Sequence, residues 1–247
     1  MGLRPANIDR MGVMMEIPSL SFEHLIQIIE SLSLEECPTI LEIGAHHGYF
    51  TEIMSNNSPS GRILAVEADE RSLATLYENV GRCANVEIIN ALVGSQNKVV
   101  NFNLANANAG INSSPSTLSN YLHSSVPGFD INYVQRSMTS CTLSKFCESR
   151  CPSLIELLVL DVTRYEIEIL RSSTEILSRI NRIMLRRYNI TKVMAVEGSP
   201  LLSDYVKLLE PYGFTLECLV HRQKFYVFKQ SVEGISLRSG FSKLGQT

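Results

Sequence analysis

From residue 38 onward, short and almost wholly apolar runs alternate with longer stretches in which apolar residues recur every three or four positions. Runs of the first kind cover residues 38–43, 62–67, 86–91 and 154–161. They are too short for helices and too continuously apolar for half-exposed strands, so they predict buried strands. Stretches of the second kind cover 49–54, 71–80, 165–177 and 200–209, and their spacing predicts helices with one buried face. Asp69 stands where an N-cap is needed for the second of these. Residues 182–185 supply a fifth short strand. Strands alternating with helices at this pace predict right-handed βαβ units around a parallel sheet. The chain closes differently. Residues 214–220 and 224–229 are separated only by His221-Arg222-Gln223, and a parallel crossover needs about a dozen residues, so this pair is antiparallel.

Other stretches are weaker in pattern. Residues 1–17 have no periodicity and predict a loosely held arm, followed by a helix over 22–32 in which Phe22, Leu25, Ile26, Ile28 and Ile29 share a face. Residues 98–104 alternate as a strand or hairpin arm. Residues 105–127 are rich in Asn, Ser, Ala and Gly without an apolar stripe, a length typical of a lid or binding loop. The resulting division is an arm and helix over 1–37, one α/β domain over 38–230, and a flexible tail over 231–247, with no internal repeat.

Composition narrows the function classes. Of 247 residues, 45% are hydrophobic and 19% charged, enough to build a large core and too apolar for a disordered chain. A net charge of −3 argues against coating nucleic acid or an anionic membrane. No run approaches the ~20 apolar residues of a spanning helix, and no signal peptide or myristoylation pattern opens the chain. Cys37, Cys83, Cys141, Cys147, Cys151 and Cys218 lack zinc-site spacing and read as reduced thiols, which predicts a cytoplasmic protein without a bound metal.

The chemistry concentrates in Leu41-Glu42-Ile43-Gly44-Ala45-His46-His47-Gly48-Tyr49-Phe50-Thr51, where the first strand turns into the first helix. Gly44 permits a tight turn and close ligand approach, and Gly48 opens a helix whose free N–H groups face a carboxylate or phosphate. A dinucleotide site requires a second glycine where His46 stands, so a pyrophosphate meets a bulky side chain there. A methionine carboxylate asks for less room, and Glu42 suits the amino-acid end of S-adenosylmethionine. Glu67 ends the second strand, 23 residues after Gly44 (67 − 44), where an acidic residue accepts both ribose hydroxyls, although it also has the position of a turn cap.

The run from Glu42 to Thr51, followed by Gly61-Arg62-Ile63-Leu64-Ala65-Val66-Glu67-Ala68, resembles the FkbM family of class I methyltransferases. Asn90-Ala91-Leu92-Val93 resembles that family's third-strand ending, where adenine is held, and Thr142-Leu143 the approach to its fourth strand. Leu158-Val159-Leu160-Asp161-Val162-Thr163-Arg164-Tyr165-Glu166 resembles its Asp-Val-Glu-Gly-Tyr-Glu signature. These matches span about residues 40–229 in the family's order.

The resemblance implies a Rossmann-like, seven-stranded, mostly parallel sheet with an antiparallel last strand. It implies S-adenosylmethionine as donor, S-adenosylhomocysteine as product, and a hydroxyl of a sugar or small metabolite as acceptor. The implied cofactor-binding residues are Glu42, Gly44, Ala45, Gly48, Tyr49, Glu67, Ala68, Ala91, Leu92 and Asp161, and the catalytic candidates are Asp161 and His46.

Asp161 is read either as base or acceptor-orienting group, or as a cap for the next helix. His46 and His47 are expected to point apart, and Glu166 to face solvent. Tyr49 either covers the methionine chain or packs in the core. Two departures bear on the acceptor. Thr163-Arg164 replaces the Glu-Gly of the signature, and the fifth strand ends in Arg186-Arg187 rather than an acidic residue. A pocket holding Arg164 and Arg186 favours an anionic acceptor. The competing readings are a catalytically silent cofactor-binding relative and a nicotinamide-dependent oxidoreductase.

Overall fold

In chain order the strands are β1 (Thr39–Ile43), β2 (Arg62–Glu67), β3 (Val86–Asn90), β4 (Leu92–Gly94) and β5 (Lys98–Ala105). They continue as β6 (Tyr133–Thr142), β7 (Ile155–Leu160), β8 (Ile180–Arg186), β9 (Phe214–Val220) and β10 (Phe225–Gln230). The helices are α1 (Tyr49–Asn57), α2 (Glu70–Val80), α3 (Leu143–Arg150), α4 (Glu166–Arg171) and α5 (Leu202–Leu209). This computed structural model describes residues 27, 29–32, 34–105, 118, 133–151, 154–186, 200–220 and 225–231. The expected N-terminal arm, all but the end of the helix at 22–32, nearly all of the 105–127 loop and the C-terminal tail lie outside the described residues.

Seven strands form one sheet in the order β3-β2-β1-β7-β8-β10-β9. The pairs β1–β2, β1–β7, β2–β3 and β7–β8 are parallel, whereas β10 runs antiparallel to both β8 and β9. This is the expected mostly parallel sheet with an antiparallel last strand. Its centre is where the sequence is most apolar. Leu41 of β1 lies opposite Leu64 of β2 and Leu158 of β7, and all three are fully buried. A strand covered by helices on both faces has no solvent side, so it reads as a continuous apolar run.

The helices predicted at 49–54, 71–80, 165–177 and 200–209 are present with one break. The pattern at 165–177 predicts one helix, but α4 stops at Arg171 and a 3-10 turn follows over Thr174–Arg179. Two serines sit at the junction. The Ser172 hydroxyl donates to the Ile169 carbonyl, and the buried Ser173 hydroxyl accepts from the Ser144 N–H. Such side-chain bonds compete with the helical ladder.

A second, three-stranded sheet in the order β4-β6-β5 was not foreseen. β5 and β6 pair antiparallel from Lys98↔Ser140 to Ala105↔Tyr133. β6 is exposed at half of its residues and carries a mainly polar sequence, so it offers no apolar alternation to read. Away from the ligand-binding end, Arg182 of β8 pairs with Glu156 of β7 at 2.6 Å and with Glu217 of β9 at 3.1 Å. This cluster, buried at Arg182 and Glu156, ties together three of the strands on that side of the sheet.

Candidate functional site

The carboxyl ends of β1, β2, β7 and β8 converge, as expected for the ligand-binding edge of a parallel sheet. The turn after β1 is drawn onto β2: the N–H groups of Gly44 and Ala45 both donate to the Val66 carbonyl, at 2.9 and 3.0 Å. Gly44 has φ 92°, and a Cβ there would meet the Asp161 backbone, with its carbonyl carbon 2.9 Å away. The position is therefore dictated first by strand packing and only secondarily by ligand approach. Gly48 has φ 80° and precedes α1, whose N-terminus has no side-chain cap. Its first N–H groups are available to a ligand.

Glu67 caps two turns with its carboxylate. Oε2 accepts the His46 N–H and Oε1 accepts the Asp69 N–H, each at 2.7 Å. These bonds fix the carboxylate at the head of β2. Its neighbours close the same corner. The Asn90 side chain donates to the Glu67 carbonyl at 2.8 Å and to that of Ala68 at 3.4 Å, and the Ala91 N–H donates to the Glu67 carbonyl at 3.1 Å. Leu92, implied for the adenine pocket, is buried as the first residue of β4. Asp69 caps α2 as expected, accepting the Arg71 N–H.

Asp161 follows β7, and its N–H donates to the Ile43 carbonyl, which places it beside Gly44. It does not cap α4, whose N-cap is Tyr165. Its carboxylate instead pairs with Arg186 at the end of β8, Oδ2 to Nη1 at 2.8 Å. His46 has φ 51°. The His46 and His47 rings lie 3.8 Å apart between centroids rather than pointing apart, which corrects the expectation from sequence. A left-handed residue in a turn reverses the usual alternation of side-chain directions. Tyr49 is 57% exposed, outside the core, with its ring edge-on to His47 at 6.2 Å.

The departures in the signature segment have a backbone consequence. Thr163 and Arg164 have φ values of 52° and 71°, so Arg164 keeps a left-handed conformation where the family has glycine. Such backbone in a β-branched residue is strained and persists only where its surroundings hold it. Glu166 supplies that hold: Oε1 accepts the N–H groups of Val162 and Arg164 at 3.2 and 3.3 Å. Glu166 was expected at the surface, but is 1% exposed. Arg164 is 4% exposed and offers almost no surface to an acceptor, which removes it from the expected cationic pocket. Tyr165 links the segment to the second sheet, its hydroxyl 2.7 Å from that of Ser95. The motif includes Glu166 but not its buried role, which is legible only from the turn it closes, and Ser95, just after β4, lies outside the motif.

This end of the sheet is rich in buried acid. Burial raises Glu42 to about 8, opposed by the Thr51 hydroxyl that donates to it at 2.5 Å, and reinforced by the charges of Asp161 and Glu67. Burial likewise raises Glu67 to about 7, with the N–H groups of Asp69 and His46 pulling the other way. Glu166 is raised by burial to about 8. His46 is lowered to about 4, first by burial and then by His47, against the attraction of Asp161 and Asp69.

These shifts predict how the ligand-free chain responds to pH. The three glutamates hold protons in the folded state that the unfolded chain releases above about 4.5. Their stabilisation is complete below 4.5 and is lost as pH rises through 7–8. His46 has the opposite sign, its stabilisation being present above 6.5 and lost as pH falls toward 4. The glutamate effect is therefore read cleanly between pH 6.5 and 8.5. Across that interval the melting temperature is expected to fall by several degrees, about 1 kcal/mol or more. Glu42→Gln should flatten the fall. A wild-type melting temperature that holds constant or rises would contradict the burial account.

Comparison with known proteins follows from this geometry. Residues 42–216 match the family model described as the methyltransferase FkbM domain. Among solved structures, the chain is similar to a precorrin-6y C5,15-methyltransferase from Geobacter metallireducens GS-15 (15% identity, 85% of this chain and 88% of that one, TM-score 0.49). It is also similar to a putative caffeoyl-CoA O-methyltransferase from Staphylococcus aureus (12% identity, 86% and 83%, TM-score 0.49). A third is a SAM-dependent methyltransferase from Aquifex aeolicus (14% identity, 83% and 86%, TM-score 0.43). No curated protein matches the chain at a significant level. Among the described residues, no helix is long and apolar enough to cross a membrane.

Proposed function

Because the chain belongs to the FkbM methyltransferase family, we propose that it methylates a hydroxyl oxygen of a sugar or comparable small metabolite, using S-adenosylmethionine. The cofactor supplies an electrophilic methyl group on a sulfonium and leaves as S-adenosylhomocysteine. The side chains at the carboxyl ends of the strands fit that donor. His46 and Asp69 each donate an N–H to one Glu67 oxygen, with the Ala68 N–H a weaker third, and at two lone pairs per oxygen the carboxylate keeps acceptor capacity for the ribose hydroxyls. The uncapped start of α1 suits the methionine carboxylate. The charges of Asp161 and Asp69, both felt at His46, favour a donor that carries a positive sulfonium.

In this reading Glu67 holds the ribose and Gly44, Ala45, Gly48 and Glu42 receive the amino-acid end. Ala68, Ala91 and Leu92 border the adenine, and Tyr49 lies at the rim. Asp161, beside the turn, orients the acceptor hydroxyl and takes its proton. His46 is the second candidate for that contact. Alignment of the acceptor supplies most of the remaining rate. The observation that carries the reading is the Glu67 carboxylate, pinned by backbone from two turns at the head of β2.

Incubation with methyl-labelled S-adenosylmethionine and a panel of sugars, sugar phosphates and hydroxy acids tests it, with transfer of label to oxygen as the expected result. Asp161→Asn is expected to lower kcat by about 10²-fold, the usual contribution of a positioned base. Unchanged kcat would remove Asp161 from the chemistry. The altered Thr163-Arg164 pair favours one second reading, a relative that binds the cofactor without turnover. Tight S-adenosylhomocysteine binding with no labelled product from any acceptor distinguishes it. The same calorimetry run with NAD addresses the oxidoreductase alternative, which predicts NAD binding instead.

A further inference from the structure

The family signature leaves the end of β8 unexplained, and there a cation sits on the proposed catalytic carboxylate. Asp161 and Arg186 follow directly from the register pair Leu160↔Leu185 of neighbouring parallel strands, so the sheet itself sets them side by side. Their carboxylate and guanidinium are 2.8 Å apart, with side chains 26% and 42% exposed. His46 feels the charge of both, which puts the pair next to the turn that receives the cofactor. Arg164, the second cation expected here, is buried. Of these two arginines, Arg186 is the one an arriving anion can reach.

We propose that Arg186 is an acceptor-binding residue held by Asp161 until an anionic acceptor displaces it. Deepening the methyltransferase reading on which it rests, the proposal assigns the acceptor a phosphate or carboxylate group near the hydroxyl to be methylated. Pairs this exposed are weak, so the exchange is easy. A guanidinium binds either oxyanion through parallel N–H donors, which replaces the contact it gives up. Released from the guanidinium, the Asp161 carboxylate accepts the proton of the acceptor hydroxyl. A neutral acceptor leaves the pair closed. The Asp161–Arg186 pair thus ties proton removal to arrival of the right substrate, and it accounts for a basic residue where the family commonly has an acidic one.

The test uses the full chain saturated with S-adenosylhomocysteine, titrated with inorganic phosphate and separately with acetate at constant ionic strength. Binding is followed by ¹⁵N NMR of the arginine Nε–H signals and by calorimetry. Phosphate or acetate should bind saturably. The affinity should drop at least about tenfold in Arg186→Gln and stay within about fivefold in Arg186→Lys, which keeps the cation. Asp161→Asn should tighten the anion by about three- to tenfold, because it removes the competing counter-ion. An anion bound away from Arg186 would not show that gain. Tighter phosphate supports a phosphorylated acceptor, and tighter acetate a carboxylated one.

Wild-type affinity in Arg186→Gln with its melting temperature unchanged would overturn the proposal. So would the absence of any gain in Asp161→Asn, or of saturable binding of either anion. Failure of the wild-type chain to bind S-adenosylhomocysteine would instead defeat the underlying methyltransferase reading, and the proposal with it.

Discussion

Glu67→Ala is expected to weaken S-adenosylhomocysteine binding by at least about a hundredfold, since charge-assisted hydrogen bonds contribute about 1.5–3 kcal/mol each and two ribose contacts are lost. The side chain is buried, and its oxygens already serve the His46 and Asp69 N–H groups, so truncation also leaves both donors without their acceptor. Glu67→Gln separates charge from volume. Both oxygens face backbone donors, so the amide nitrogen of glutamine must oppose an N–H on one side and distort the corner. Glutamine should therefore fall closer to alanine than to the parent.

Thermal unfolding distinguishes lost binding from lost folding. Burial raises the Glu67 carboxyl to about 7, so near neutral pH its presence is partly a cost to the ligand-free chain. The alanine variant should lose much more affinity than stability. Calorimetric titration giving a dissociation constant within threefold of wild type would end the ribose assignment.

Gly44→Ala should have the largest effect on folding, a loss of about 3–5 kcal/mol. Two independent penalties meet at this residue. Its φ of 92° lies where an L side chain is strained, and the added methyl would run into the Asp161 backbone rather than into a flexible side-chain tip. Relief would require parting β1 from β7, whose continuation is the hydrogen bond from the Asp161 N–H to the Ile43 carbonyl. With native domains stable by about 5–15 kcal/mol, the variant should be largely insoluble or should melt well below wild type. Gly48→Ala provides the contrast. It has a similar φ of 80°, but the new methyl would meet the Leu76 Cδ1 at 2.6 Å, a side-chain end that can rotate away. A loss of about 1–2 kcal/mol is expected there. Equal melting temperatures for the two variants would contradict the packing argument. Gly44→Val is consequently a poor probe of cofactor binding, because folding fails first.

The central sheet was legible because the strands at its middle are buried on both faces and carry continuous apolar runs. Ile40, Leu41, Ile63, Leu64, Leu157 and Leu158 leave no ambiguity of period. The antiparallel hairpin at the end was legible from loop length alone. Glu67 and the Gly44–Gly48 turn could be read because a cofactor-binding turn is local: strand end, glycine, helix start and the acid of the next strand recur at fixed separations.

Tertiary structure alone decided the rest, and the reason is distance along the chain. β6 became a strand by pairing with β4 and β5, not by any apolar pattern of its own. Glu166 was drawn inward because the N–H groups of Val162 and Arg164, on either side of the strained Thr163, needed an acceptor. The histidine rings came together because the backbone at His46 turned left-handed. Arg186 found Asp161 across 25 residues of sequence through the register of β7 and β8. Amino-acid order sets which segments are strands and which turn can cradle a charged ligand. Which side chain answers which charge depends on sheet order and register, and these emerge only when the strands pack.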